Sequence, residues 1–316
     1  MEESNQKKRR IFALGESLLD LVYQNNSDFR AVPGGSMLNA SVSLGRMDAD
    51  VYLISEFGQD KAGQLIKSFL QENKVNTDHC SLNLGHKTSL ALAFLDKEQK
   101  ASYSFYHDTP ENIDSENLPT FKKEDILLFG SFYAIKPNRH THILKVLQAN
   151  STIEALVYYD LNIRKAQSSD MTRFYESYLQ NISQSSVVKG SDEDFLQLFG
   201  TSEPDIIYSK TSPFCKVLII TNGHKPIHVF TPTFHKTYNV PSIIPISTIG
   251  AGDSFNAGFL YKVSLSSRTA NDIHLINELE MDSFIEQGIT FATETCLSSD
   301  NYIKGHSKPD FSESQD

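Results

Sequence analysis

No run of about 18 apolar residues occurs in the sequence, so we expect no membrane-spanning helix. The N-terminus carries a basic run at residues 7–10 and lacks the apolar core of a signal peptide. Cys80, Cys215 and Cys296 are far apart and have no metal-ligand spacing, which argues against a disulfide framework and against a zinc site. We therefore expect a soluble, reduced protein of the cytoplasm.

Positive charge is also scarce. The 316 residues include 29 Lys and Arg against 39 Asp and Glu, a formal net charge of −10. A large nucleic-acid footprint usually needs a basic face, and the only basic run, residues 7–10, is explained as a solvated tail. We expect no nucleic-acid or membrane partner, and any bound phosphate should meet a local site.

Apolar runs alternate with amphipathic segments over most of the chain. The buried-strand candidates are residues 11–14, 51–54, 126–129, 155–159, 187–188 and 217–220. Helical periodicity lies between them at 62–70, 141–148 and 171–180. This alternation predicts an α/β protein with a mostly parallel sheet that is covered by helices on both faces.

Two stretches, residues 18–32 and 89–107, interrupt this alternation. Each resembles a pair of extended segments, with turns at 24–27 and 96–99 and period-two apolar character in the second stretch. We expect them to form a small sheet that projects from the main one. The polar residues 304–316 are expected to be a frayed tail.

The most informative segment contains Gly-Ala-Gly-Asp at 250–253. Gly250 and Gly252 allow a tight turn and a close approach to a ligand, and residues 254–263 are apolar enough for a buried helix. Backbone N–H groups at such a helix start form an anion site. Asp253 would there take a proton from a hydroxyl that attacks a phosphate. The alternative is a glycine turn followed by an ordinary first-turn acid, and neither a Walker loop nor a dinucleotide fingerprint is present.

A second glycine pair, Gly34 and Gly35, immediately precedes a predicted helix. Apolar residues recur with helical spacing between 37 and 47. The pair permits close backbone contact with a polar ligand, and Asn39 offers both a donor and an acceptor. Taken alone, this segment is better explained as a capped helix with a buried asparagine.

Together the two glycine motifs resemble the two signatures of the PfkB (ribokinase-like) carbohydrate kinases, in the family's order. The resemblance extends over nearly the whole chain. Residues 15–20 resemble the first strand and its substrate-binding acid, residues 58–63 the Gly-x-Asp-x-x-Gly turn, and residues 160–164 the Asp-x-Asn-x-Arg strand end of fructokinase relatives.

The resemblance implies one kinase unit with a ribokinase-like three-layer α/β/α domain and a small β-sheet lid. The large domain would comprise residues 8–17, 33–88 and 108–303, and the lid residues 18–32 and 89–107. The sugar would touch Asp20, Gly34, Gly35 and Asn39, and ATP would lie along the other side of the glycine loop. A homodimer joined through the lids is also implied.

In that arrangement Asp253 would be the general base. The backbone of Gly250, Ala251 and Gly252 would stabilise the transferring phosphoryl charge, as phosphoryl transfer requires. Arg164 suits a phosphate as a planar donor fork, and a surface salt bridge is its alternative role.

The sequence departs from the family pattern near the nucleotide. Ser247 replaces the usual acid of a monovalent-cation loop, so potassium dependence is doubtful. The usual Asn-x-x-Glu appears as Ser191 to Asp194, and Asp194 would meet Mg²⁺ through water. Thr221 and Gly223 occupy the strand end near the nucleotide, with Asn between them.

The sequence therefore predicts an ATP-dependent kinase of a small, fructose-like sugar. His107 stands where sugar-acid kinases of the family carry an arginine, which argues mildly against a carboxylate-bearing sugar. A nucleoside kinase of the same fold and a catalytically reduced sugar-binding protein are the alternatives.

Overall fold

The computed structural model describes residues 8–24, 28–95, 101–108, 117–151, 153–163 and 171–305. The strands are β1 Ile11–Leu14, β2 Leu18–Gln24, β3 Asp28–Gly34, β4 Val51–Gly58, β5 Cys80–Asn83, β6 Leu90–Leu95, β7 Ala101–Tyr106, β8 Ile126–Gly130, β9 Leu156–Asp160, β10 Val187–Ser191, β11 Val217–Asn222, β12 Lys225–Phe230 and β13 His235–Tyr238. The helices are α1 Ser36–Arg46, α2 Lys61–Glu72, α3 Pro137–Ser151, α4 Met171–Ser183, α5 Asp192–Phe199, α6 Pro204–Thr211, α7 Ala251–Leu265 and α8 Glu278–Cys296.

The large sheet has the strand order β13-β12-β11-β10-β9-β8-β1-β4-β5. Its strands from β11 to β5 pair in parallel, and β12 and β13 add an antiparallel edge. All the parallel strands therefore end at one edge of the sheet, where open α/β proteins bind their ligands.

Successive residues of the central strands face opposite cores. In β1, Ile11 and Ala13 pack into a core with α1, α2, α7 and α8, and Phe12 and Leu14 pack into a core with α3 to α6. Burial on both faces is the reason that these strands are apolar throughout. The predicted sheet with helices on both faces is confirmed.

A second sheet contains four strands in the order β3-β2-β6-β7. β2 pairs antiparallel with β3 and parallel with β6, and β6 pairs antiparallel with β7. This is the small sheet predicted from the two irregular stretches. Much of both predicted turns, at 25–27 and 96–99, and residues 306–316 of the predicted tail lie outside the described residues.

Residues 298–305, which follow α8, contact three parts of the molecule. Arg30 of β3 donates to Asp300 over 2.6 Å, and Arg46 of α1 donates to the carbonyl of Ile303 over 2.7 Å. The carbonyl of Asn301 lies against Gly250. This segment connects the small sheet and α1 with the glycine loop. Among the described helices, none has the length and apolar character needed to cross a membrane.

Candidate active site

The glycine loop leads directly into α7, and Asp253 lies in the first turn of that helix. Gly250 has a φ of +78°, and a Cβ at this position would lie 2.0 Å from the carbonyl oxygen of Asn301. Any other residue would be strained and would collide with that backbone. The first N–H groups of a helix have no acceptor within the helix, so this helix start can bind a phosphate.

Asp253 is buried, with 6% of its surface exposed, and it contacts α1. The hydroxyl of Ser36 donates to Asp253 Oδ1 over 2.5 Å, and Asn39 Nδ2 donates to Oδ2 over 2.9 Å. The two glycine motifs, more than 200 residues apart in the sequence, therefore meet at one carboxylate. Asn39 Oδ1 is buried and has no hydrogen-bond partner among the described residues, so it is an acceptor suited to a ligand hydroxyl.

The glycine pair is required by close packing. A Cβ on Gly34 would lie 2.0 Å from Oδ2 of Asp20 on the neighbouring strand β2. Gly35 has a φ of +121°, and a Cβ there would lie 2.2 Å from the carbonyl oxygen of Glu16. Gly34 thus allows Asp20, which is 7% exposed, to lie beside it, and Gly35 allows the backbone of Glu16 to approach the start of α1.

A buried lysine that the sequence analysis missed lies beside the glycine loop. Lys189 is 5% exposed, and its Nζ lies 3.2 Å from the position a Cβ would take on Gly252. It donates to Asp160 Oδ1 over 3.1 Å, and Asp160 Oδ2 accepts from Asn256 of α7 over 2.7 Å. The ends of β9 and β10 are in this way connected to the helix that carries Asp253.

The charge of Lys189 is maintained by its neighbours. Burial lowers the pKa of its ammonium, but the carboxylates of Asp160, Asp194 and Asp253 raise this pKa above its ordinary value. The site therefore holds one buried cation among three carboxylates. Such a cation, beside a helix start, suits a phosphate.

A second charged cluster joins the small sheet to the large domain. His107, which follows β7, lies 3.0 Å from Glu16 Oε1, and Lys136 lies 3.5 Å from the same oxygen. Burial raises the pKa of Glu16, but the hydrogen bond from His107 and the charge of Lys136 bring it below its ordinary value. Glu16 is therefore ionised at neutral pH.

Ser191 and Asp194 form a capping box at the start of α5. The carboxylate of Asp194 accepts from the N–H of Ser191 and from the N–H of Ile163, each over 2.7 Å. Burial raises the pKa of Asp194 above its ordinary value. Both oxygens are committed to the backbone, so the proposed contact with Mg²⁺ through water stays a prediction.

The remaining nucleotide candidates lie at the end of the adjacent strand. Thr221 pairs with Ser191 at the carboxyl ends of β11 and β10, and Gly223, with a φ of +53°, lies in the turn to β12. Their nucleotide contacts stay predictions. Arg164 lies outside the described residues. The described residues include no group of three or more His, Cys, Asp or Glu side chains that could hold a metal ion.

Three contributors to the site were missed by sequence reasoning: Ser36, Lys189 and Asn256. Ser36 was treated as part of a helix start and Asn256 as part of a buried helix. The lysine directly after the apolar pair at 187–188 was a usable signal, because a strand that continues through it buries a lysine, and a buried lysine needs a charged partner.

Residues 8–273 match the family described as pfkB family carbohydrate kinase. The chain belongs to this family. The family resemblance found in the sequence is thereby confirmed, as is membership of a family of carbohydrate kinases, which are transferases.

Curated relatives with similar sequences include plant fructokinases. Probable fructokinase-4 of Arabidopsis thaliana is 26% identical over 277 residues, which cover 83% of this chain and 85% of that protein. Fructokinase-1 of Zea mays is 23% identical over 266 residues, which cover 80% of this chain and 82% of that protein.

Solved structures share the fold. The fructokinase of Vibrio cholerae O395, in a form with bound fructose, ADP and calcium ion, has a TM-score of 0.84 at 21% identity and covers 93% of this chain and 94% of that one. Aminoimidazole riboside kinase of Salmonella enterica has a TM-score of 0.80 at 19% identity, covering 92% of this chain and 94% of that one. The ribokinase-like fold predicted from the sequence is confirmed.

Proposed function

We propose that the protein transfers the γ-phosphoryl group of ATP to a hydroxyl of a fructose-like sugar. The observation that carries the proposal is the buried carboxylate of Asp253, which lies in the first turn of α7 directly after the glycine loop and is held by Ser36 and Asn39. The fructokinase names of its relatives support the choice of sugar.

In the proposed reaction Asp253 takes the proton of the sugar hydroxyl as the hydroxyl oxygen attacks the γ-phosphorus. The bond from the γ-phosphorus to the oxygen bridging to the β-phosphate breaks, and ADP leaves with that oxygen. The N–H groups at the start of α7 and the ammonium of Lys189 stabilise the charge that develops on the phosphoryl group. Asp20 and Asn39 Oδ1 accept hydrogen bonds from other sugar hydroxyls and so orient the acceptor.

ATP and Mg²⁺ are the proposed cofactors, and Mg²⁺ would add charge stabilisation at the phosphates. It would be bound mainly by phosphate oxygens and water, with Asp194 nearby. Ser247 carries no charge, and its hydroxyl accepts from the N–H of Ile249 over 3.2 Å. A potassium requirement is therefore doubtful, although one neighbour, a double mutant of the Vibrio cholerae fructokinase, was solved with potassium bound.

The small sheet is proposed to be a lid over the sugar, and its outer face to be the dimer contact. Phe29, Phe94 and Tyr106 lie on one face of the sheet by strand register and are 55%, 41% and 59% exposed. A small sheet with an uncovered apolar face is marginal in water, so a second copy covering it would be favourable. We also propose a cytoplasmic location, with no nucleic-acid or membrane partner.

The decisive experiment is an ADP-release assay with fructose, ribose, ketodeoxy sugar acids and nucleosides as acceptors. Fructose-dependent ADP release that exceeds release with the other acceptors is expected. A preference for nucleosides would replace the proposal with the nucleoside-kinase alternative. Sugar binding by calorimetry without turnover on any acceptor would identify a sugar-binding protein instead.

A further inference from the structure

Ser36 contacts the proposed general base from the opposite helix. Its hydroxyl donates to Asp253 Oδ1 over 2.5 Å, and the residue is 8% exposed at the start of α1. Helix capping does not explain this contact, because the N-cap residue of α1 is Gly35 and no side chain caps the helix start.

Asn162 holds this hydroxyl from its other side. Its Nδ2 donates to Ser36 Oγ over 3.1 Å, so the hydroxyl proton of Ser36 is directed to Asp253. The backbone of Asn162 has a φ of +41°, a left-handed conformation that is uncommon for a residue other than glycine. Two successive hydrogen bonds thus connect the segment after β9 to α1 and α1 to α7.

We propose that Ser36 is a positioning residue for phosphoryl transfer, which keeps the carboxylate of Asp253 in one orientation and stabilises its ionised form. The inference rests on the proposed function, in which Asp253 takes the proton. The ammonium of Lys189 of β10 also interacts electrostatically with this carboxylate and with those of Asp160 of β9 and Asp194 of α5. These charges are the same in every variant below, so a difference in activity or titration between the variants comes from the hydroxyl group that was changed.

The test compares Ser36→Ala with Ser41→Ala. Ser41 is buried on the same helix, and its hydroxyl donates to the carbonyl of Met37, away from Asp253. The two variants lose the same atom from the same helix. Ser36→Thr keeps the hydroxyl and serves as the rescue variant.

For Ser36→Ala we expect kcat to fall about ten- to a hundredfold, because the base is less well placed, while the sugar Kd by calorimetry is unchanged. The acid limb of the kcat/KM profile should move to higher pH, since the ionised carboxylate loses a donor. Ser41→Ala should match the wild type, and Ser36→Thr should recover most of the loss. Equal kcat and equal acid limbs in the two alanine variants would overturn the proposal.

A titration of the Asp253 carboxyl carbon by ¹³C NMR, assigned by its loss in Asp253→Asn, needs no turnover. The midpoint should be higher in Ser36→Ala than in the wild type and in Ser41→Ala. If the wild type phosphorylates no acceptor, the proposed function fails, and this titration still decides whether Ser36 acts on Asp253. Identical midpoints would sink the inference.

Asn162→Gly tests the second hydrogen bond, because glycine tolerates the left-handed backbone while the amide donor is lost. If Asn162 acts through Ser36, the variant that combines Asn162→Gly with Ser36→Ala should have the same kcat as Ser36→Ala alone. If the decreases in kcat of the two single variants multiply in the double variant, Asn162 does not act through Ser36.

Discussion

Asp253 accepts hydrogen bonds from α1, and its carboxylate interacts electrostatically with the ammonium of Lys189. Its carboxylate accepts from Ser36 and Asn39. An asparagine amide in the same place can accept from Asn39 through its oxygen and donate its N–H to the Ser36 hydroxyl, which turns to accept. A change to asparagine therefore removes the basic oxygen while it keeps the shape of the site. This allows the proton-transfer role to be tested apart from folding.

We expect Asp253→Asn to lower kcat about 10²- to 10⁴-fold, the usual loss for a general base, with sugar binding retained. The exposed Asp205 provides the control, since Asp205→Asn makes the same change away from the site and should keep wild-type kcat. Measured by ADP release on the best acceptor, wild-type turnover in Asp253→Asn would disprove the role of the base.

Asp20 belongs to the small sheet and lies against Gly34. Asp20→Ala should weaken sugar binding by roughly 1.5–3 kcal/mol, the value of a hydrogen bond to a charged group, with a smaller effect on kcat at saturating sugar. Calorimetry with fructose measures this directly. An unchanged sugar Kd would remove Asp20 from the binding site.

Glu16 makes the stability of the protein depend on pH. Its folded-state pKa is below its ordinary value of 4.5, so its ionised form stabilises the fold above that pH, and this contribution is lost as the pH falls through the folded pKa. Urea unfolding should show Glu16→Gln less stable than the wild type near pH 7, with the difference shrinking below about pH 4. The exposed Glu72→Gln should show a small, flat difference; a Glu16→Gln difference that grows with acidity would refute this assignment.

At the level of single residues, the sequence predicted Asp253 and the glycines at 34, 35, 250 and 252. Closely spaced glycines directly before a helix have few explanations other than a tight turn or a close contact. The sequence did not predict Ser36 or Lys189. Serine is common at helix starts, and the one lysine in an apolar strand acquires its meaning only when Asp160 and Gly252 are brought beside it.

At the level of elements, the buried central strands were predicted because both of their faces are apolar, and the structure extends several of them toward the site. β4 continues to Gly58 and β10 to Ser191, since polar residues are tolerated where strands reach the ligand edge. The edge hairpin β12–β13 and the short helices α5 and α6 were not predicted. Their strands expose charged residues and their helices are only eight residues long, so periodicity is weak.

The glycine loop gives a prediction at this scale. Gly250→Ala should destabilise the protein and lower kcat, because the new Cβ would meet the carbonyl of Asn301 in a left-handed backbone conformation. Such strain typically costs about 1–3 kcal/mol. Gly200 also has a positive φ, of +72°, with nothing within 4 Å of an added Cβ, so Gly200→Ala reports backbone strain alone. Thermal unfolding and ADP release of both variants measure the difference, and equal effects would contradict the role of Asn301.

At the level of the whole molecule, the exposed aromatic face of the small sheet predicts a dimer. Light scattering at micromolar concentration should give twice the mass of the 35.5 kDa chain, and Phe94→Ser should shift it toward the monomer. Ile244, which is 91% exposed and outside that sheet, supplies the control Ile244→Ser. A monomeric mass of the wild type, with and without sugar, would refute the dimer and favour the nucleoside-kinase alternative.

Residues 298–305 also set an order of events during synthesis. Ribosomes make this segment after every other described element, yet it contacts Arg30 of the small sheet, Arg46 of α1 and the loop at Gly250. A nascent chain that has emerged only as far as α7 already has both glycine motifs and the base. It still lacks the backbone against which Gly250 is packed. The glycine loop therefore acquires this packing contact only after residues 298–305 have been made.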